Sequence, residues 1–136
     1  MLEAGFALTL VGWEICVRHT VMDDAAWARI EAFDTPLSRF FTTVNAVTRD
    51  FCKAHQRLAG STHPDAIAVA GIAQPSLFTQ SVERHVAVET ASALTRGMTV
   101  VDELGVTGRP PNARVVTEAD GPAFQAMLFE LLQSQR

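Results

Sequence analysis

A chain of 136 residues is long enough to bury one hydrophobic core and short for two domains, so a single domain over residues 1–136 is expected. Its 11 Lys and Arg against 15 Asp and Glu give a formal charge of −4 with no basic cluster, which argues against a nucleic-acid partner. Charged residues make up only 19% of the chain, below the roughly 25% of ordinary soluble domains, so part of the surface is expected to be covered by a partner.

The first element is Phe6-Ala7-Leu8-Thr9-Leu10-Val11-Gly12-Trp13, a nearly continuous apolar run of strand length. That pattern predicts a central parallel strand covered on both faces, with Cys16 in its extension. Residues 1–17 carry Glu3 and Glu14, no basic n-region and no small-residue cleavage site, so no signal peptide is read there. No apolar run approaches the roughly 20 residues of a membrane span, and a soluble, cytoplasmic protein is expected. Cys16 and Cys52 lack metal-ligand spacing and make no disulfide framework, in keeping with a reducing compartment.

Asp23 can cap a short helix that turns Ala26, Trp27, Ile30 and Phe33 to one side. Thr35-Pro36 then gives an N-cap with proline at the first helical position. From there Leu37, Phe40, Phe41, Val44, Val47, Phe51 and Leu58 recur at helical spacing up to Gly60, which predicts a long core-facing helix. After Thr62, residues 66–73 are apolar all round and rich in small side chains, the pattern of a helix packed on every side. Gln74-Pro75 stops it. Val82, Val86 and Val88 alternate with Glu83, His85 and Glu89 as a half-buried strand, and Thr95-Arg96-Gly97 turns the chain. Strands at residues 98–101 and 114–117, around a Gly108-Arg109-Pro110-Pro111-Asn112 loop, predict a small antiparallel addition to the sheet. Asp120 caps a last helix with Phe124, Met127, Leu128, Leu131 and Leu132 in one stripe.

Chemistry is concentrated at Thr62-His63-Pro64-Asp65. A helix N-terminus presents free N–H groups and a positive dipole end, so an aspartate there can serve the helix or a bound cation. The Thr62-x-x-Asp65 spacing fits a capping box, and on spacing alone that structural role outranks a ligand role. One carboxylate does not satisfy a hard cation that takes six or more oxygens. His19 near Cys16 and His63 near Asp65 show no third ligand and no nucleophile motif, Ser61 and Ser76 lack a nucleophile elbow, and the glycines form no phosphate loop. The residues alone therefore specify an α/β domain without a named reaction.

Three segments in register carry more. Leu8-Thr9-Leu10-Val11-Gly12-Trp13-Glu14, His63-Pro64-Asp65-Ala66-Ile67-Ala68-Val69-Ala70, and Glu89-Thr90 with Leu94-Thr95-Arg96-Gly97-Met98-Thr99-Val100-Val101-Asp102 resemble the inosine-uridine preferring nucleoside hydrolases, and Pro111-Asn112-Ala113 and the Phe124 helix follow in the family's order. The resemblance implies the C-terminal part of a mixed sheet flanked by helices, and hydrolysis of the N-glycosidic bond of purine or pyrimidine ribonucleosides. It also implies a Ca2+ ion, with Asp65 matching the family's late calcium-ligand aspartate.

The resemblance departs from the family pattern in two places. The aspartate-rich motif that supplies the other calcium ligands and the general base, and the segment that grips the ribose, would lie upstream of Met1. Many members carry a leaving-group histidine just before the ligand aspartate, where this chain has Pro64, and His63 stands one position earlier as the candidate acid. The expectation is therefore a truncated nucleoside hydrolase, inactive alone, that takes a ribonucleoside only when an N-terminal half completes it. The alternative is a non-catalytic interaction or oligomerisation module, and a homo-oligomer is expected on either reading.

Overall fold

The apolar run at residues 6–13 forms a strand over three residues only, β1 (Thr9–Val11), in the computed structural model, which describes residues 2–134. Gly12 then turns the chain into helix α1 (Trp13–His19), its carbonyl accepting from the N–H groups of Ile15 and Cys16. Cys16 is therefore helical, not in a strand. A short apolar run cannot distinguish the two by periodicity, and here burial of the adjacent pair Ile15 and Cys16 on one side of a helix decides it.

The chain continues through β2 (Met22–Asp23), α2 (Asp24–Ala32), α3 (Pro36–His55), β3 (Gly60–Ser61) and α4 (Pro64–Ala73). A 3-10 turn at Pro75–Leu77 leads to β4 (Gln80–Arg84), β5 (Val86–Val88), β6 (Thr99–Val101), β7 (Ala113–Glu118) and α5 (Gly121–Gln133). The main sheet has the order β1-β7-β4, with β1 parallel and β4 antiparallel to β7. It is a mixed sheet, as expected, but its centre is β7 and not β1. β1 pairs on one side only among the described residues, and Phe6 and Trp13 at its ends are 66% and 51% exposed.

The expected strand through Val82 and Val88 breaks at His85. There Asn112 stands in for a neighbouring strand, accepting from Val86 N–H at 2.8 Å and donating to Val86 O at 2.9 Å. β5 leaves the sheet and pairs antiparallel with β6, which is the small antiparallel addition; β7 belongs to the main sheet instead.

Packing is unequal on the two faces. Val11 and Val116 meet Ile15, Ile67, Leu77 and Phe124 from the helices, in the larger core that also holds Trp27, Ile30 and Phe129. Among the described residues the opposite face buries Val86, Ala113 and Val115, with Leu2, Leu8, Leu10, Val82 and Val101 against them.

Two helices differ from their sequence patterns. α3 keeps its cap, with Ser38 N–H donating to Thr35 Oγ1 and Thr35 N–H to Ser38 Oγ, both at 3.0 Å. Of its expected apolar stripe Leu37 and Phe41 pack against the larger core, but Phe40, Val44, Val47 and Phe51 face solvent at 66%, 53%, 80% and 50% exposure, while Ser38 and Cys52 are buried and Thr42, Asn45 and Arg49 half-buried. α4 is likewise not enclosed, since Val69 and Ile72 are exposed and only Ile67, Ala70 and Gly71 are buried. The helix expected to run to Gly60 ends at His55.

Candidate active site

The turn that carries Asp65 is built from below by a close strand contact. β3 pairs with β2 through Met22 and Ser61 and through Asp23 and Gly60, and a Cβ at Gly60 would collide with the Met22 carbonyl oxygen. Glycine lets the two backbones approach, and Ser61, Thr62 and His63 follow into the interior. α4 then begins with His63 as N-cap residue and Pro64 in the first turn, a position where proline's missing N–H costs nothing.

The expected Thr62–Asp65 capping box is not formed. The α4 start has no side-chain cap; Thr62 instead lies in a buried hydroxyl cluster with Thr20, its Oγ1 2.8 Å from Thr20 Oγ1 and 3.2 Å from the Cys16 carbonyl. Thr20 also receives the His63 backbone N–H at 2.9 Å. These bonds tie the entry to α4 to the end of α1, a tertiary demand that outweighs the local cap.

His63 is 7% exposed, its ring 5.2 Å from that of Phe41. Its Nε2 lies 2.9 Å from Ser61 Oγ, which accepts from Trp27 Nε1–H at 2.9 Å. The arrangement that uses both the Trp27 and the Ser61 protons runs from Trp27 to Ser61 to His63, with the ring proton on Nδ1. Burial lowers the His63 pKa to about 4, so the ring is neutral at pH 7. A serine and a histidine at this distance have the geometry of an activated nucleophile. At 0% exposure for Ser61, the pair serves the interior rather than a substrate.

Asp65 stands on the opposite footing. It is exposed on the first turn of α4, and its charge reaches the Cys16 thiol. The Cys16 thiol is held above its ordinary pKa chiefly by burial, with the Glu14 and Asp65 carboxylates adding to the rise. The structure thus places His63 and Asp65 two residues apart but in different environments, one sealed and one open. His19 lies elsewhere, with Nε2 3.1 Å from Glu118 Oε2, and Cys52 is buried on α3. The apolar groove of about 510 Å³ beside β1, lined by Val11, Ala68, Gly71, Ile72 and Phe78, contains neither candidate.

Thr20, Trp27 and Ser61 organise the site and were not legible as a group. Thr20 meets Thr62 across 42 residues of sequence and Trp27 meets Ser61 across 34, and no local spacing signals either contact. The calcium ion implied by the resemblance does not fit the donors present. Among the described residues no three His, Cys, Asp or Glu side chains converge, so Asp65 alone would face a cation that takes six to eight oxygens.

Comparison with known proteins agrees with this architecture. Residues 1–126 match the family described as inosine-uridine preferring nucleoside hydrolase. The pyrimidine-specific ribonucleoside hydrolases RihA of Salmonella gallinarum and Shewanella woodyi are 34% and 31% identical to this chain over 137 aligned positions. The alignments cover 96% and 97% of this chain but 42% of each relative, so the chain spans about two fifths of their length. An inosine-guanosine nucleoside hydrolase superposes with a TM-score of 0.78 at 25% identity, over 94% of this chain and 39% of its own. A purine-preferring ribonucleoside hydrolase from Gardnerella vaginalis gives 0.79 at 18% identity, over 97% of this chain and 41% of its own, a likeness of fold.

Proposed function

Because the chain belongs to the inosine-uridine preferring nucleoside hydrolase family, we propose that it supplies the α4 turn of a ribonucleoside-hydrolysing site that further polypeptide completes. In such a reaction water adds to C1′ of the ribose, the C1′–N bond breaks, and the base leaves with a proton. The observation that carries the proposal is the contrast within one turn: Asp65 is exposed while Ser61, Thr62 and His63 beneath it are sealed and hydrogen-bonded. A rigid support under an open carboxylate is what a positioned binding group requires.

Asp65 is assigned to contact with ribose hydroxyls or with a cation whose other ligands come from outside this chain. Among the described residues, this chain's own donors do not make a calcium site. His63 is assigned the anchoring of the α4 start: a pKa near 4 leaves it without the proton that a leaving-group acid must carry at neutral pH. The RihA relatives are named for pyrimidine ribonucleosides and the superposed structures for purine ones. Cytoplasmic placement and self-association belong to the same reading.

The test uses inosine and uridine with the chain alone and with the chain co-produced with the unmatched portion of the Shewanella woodyi enzyme. The chain alone is expected to release no base, the mixture to release it, and Asp65→Asn in the mixture to abolish release. Turnover by the chain alone at the 1–1,000 per second of ordinary enzymes would overturn its dependence on completion. Full activity of the Asp65→Asn mixture would remove Asp65 from the site. A second reading, a non-catalytic association module, is favoured by the solvent-facing apolar stripe of α3.

A further inference from the structure

The N-terminus of α4 has no side-chain cap at His63, and Pro64 brings no N–H to the first turn. A helix end without a cap takes its position from whatever tertiary bonds reach it. Two of those bonds come from one hydroxyl, that of Thr20, which is 1% exposed and stands at the C-cap of α1. Thr20 Oγ1 lies 2.8 Å from the Cys16 carbonyl oxygen, 2.8 Å from Thr62 Oγ1 and 2.9 Å from the His63 nitrogen. A carbonyl only accepts and an amide N–H only donates. In the arrangement built from these short contacts, Thr20 donates to Cys16 and accepts from both His63 and Thr62. Its one proton and both lone pairs are then used inside the protein.

The platform under that hydroxyl is itself fixed. Ile15 and Cys16 of α1 are 0% and 2% exposed in the larger core. Arg18 donates to Glu118 Oε1 at 2.6 Å and to the Thr117 carbonyl at 3.0 Å, tying the end of α1 to β7. Gly121 of α5 packs so closely that a Cβ there would stand 2.8 Å from the His19 carbonyl oxygen. The Trp27–Ser61–His63 bonds steady the histidine ring, but the His63 N–H is held by Thr20. We infer that Thr20 is a positioning residue for Asp65, acting through the His63 backbone and the Thr62 side chain to set where the exposed carboxylate stands. The inference rests on the reading of Asp65 as a group that contacts ribose or a cation. Valine at position 20 would fill the same volume and leave the buried His63 N–H without an acceptor, which the turn relieves only by opening to water. Serine would keep the acceptor.

The first measurement uses the chain alone. Amide hydrogen exchange at His63 and Ile67 should be roughly 10–100-fold faster in Thr20→Val, as for one unsatisfied buried N–H, with α5 amides unchanged. Thr20→Ser should restore protection. The second uses the chain co-produced with the unmatched portion of the Shewanella woodyi enzyme, where Thr20→Val should lower kcat/KM for uridine roughly 10–100-fold and Thr20→Ser should recover it. Thr35→Ala removes the α3 cap and its bond to Leu132, away from the turn, so it should lower Tm while leaving kcat/KM at the parent value. Unchanged exchange in Thr20→Val, equal loosening of α5, a loosened turn with undiminished kcat/KM, an equal loss in Thr35→Ala, or no rescue by serine would each overturn the inference. A parent mixture that releases no base would sink the completed site instead, and the exchange comparison then decides by itself whether Thr20 fixes the Asp65 turn.

Discussion

His63 is neutral because burial removes the water that would solvate an imidazolium, and its pKa drops from the ordinary 6.5 to about 4. Between those two values the unfolded chain holds more protons than the folded one, so stability falls as the pH falls. The contribution is fully present above 6.5 and is lost progressively down to about 4. Between pH 7 and pH 5 the loss is about 2 kcal/mol, from 1.36 kcal/mol per unit. The carboxylates of Asp24, Asp102 and Glu118, whose pKa values are lowered by Arg49, Thr107 and Arg18 respectively, lose stability in the same direction but at lower pH. Urea unfolding at pH 7 and pH 5 therefore isolates the histidine: His63→Gln should remove most of the parent's pH dependence in that window. An unchanged slope in the variant would mean that the ring is solvated. Ser61→Ala tests the other half of the same cluster, leaving the Trp27 Nε1–H and His63 Nε2 without their partner, at about 1–3 kcal/mol for each unsatisfied group.

Helix ends and helix faces were not equally legible. The caps at Asp23, Thr35 and Asp120 form as the residue types require, each side-chain oxygen accepting from an N–H three residues on. Caps are local, so a four-residue window contains their cause. Thr35→Ala should cost about 1–2 kcal/mol in cap energy, and more because Thr35 Oγ1–H also donates to Leu132 O of α5 at 2.6 Å. Faces depend on what lies across from them. The apolar pattern of α3 predicts that Phe40, Val44, Val47 and Phe51 are core, whereas Asp24, Arg49 and Trp27 determine that a more polar side packs inward. Val47→Lys should accordingly change unfolding stability by no more than about 0.5 kcal/mol; a loss of 2 or more would place that face in the core. The same limit explains α1, where a short apolar run is equally good as strand or helix, and the Thr62 turn, where the demand of Thr20 at the end of α1 overrides a capping spacing. Asp65 is a candidate only through its resemblance to a family pattern; nothing in its local chemistry separates it from a structural aspartate.

At the scale of the molecule, the sheet is covered by helices on one face and thinly on the other, and β1 presents an open edge. These surfaces accord with a chain that spans about two fifths of its relatives' length, and they bear on metal binding as well as on association. A hard cation gains affinity from several oxygens fixed at 2.3–2.6 Å, each added carboxylate raising the field that replaces water. Here Asp65 is the carboxylate that the sequence resemblance offers as a ligand, it is exposed, and no convergent group of three metal-ligating side chains exists among the described residues. Ligand linkage makes the consequence measurable: a site half filled at about 10 mM calcium would add RT ln 2, about 0.4 kcal/mol, or roughly 1–2 °C in Tm for a domain of this size. The chain alone should show no such rise at about 10 mM calcium in a thermal melt, and Asp65→Asn should melt at the same temperature with and without the ion. A calcium-dependent increase of several degrees that Asp65→Asn abolishes would show that this chain closes a cation site by itself, and the dependence on further polypeptide would then apply to the ribose and the catalytic base rather than to the metal.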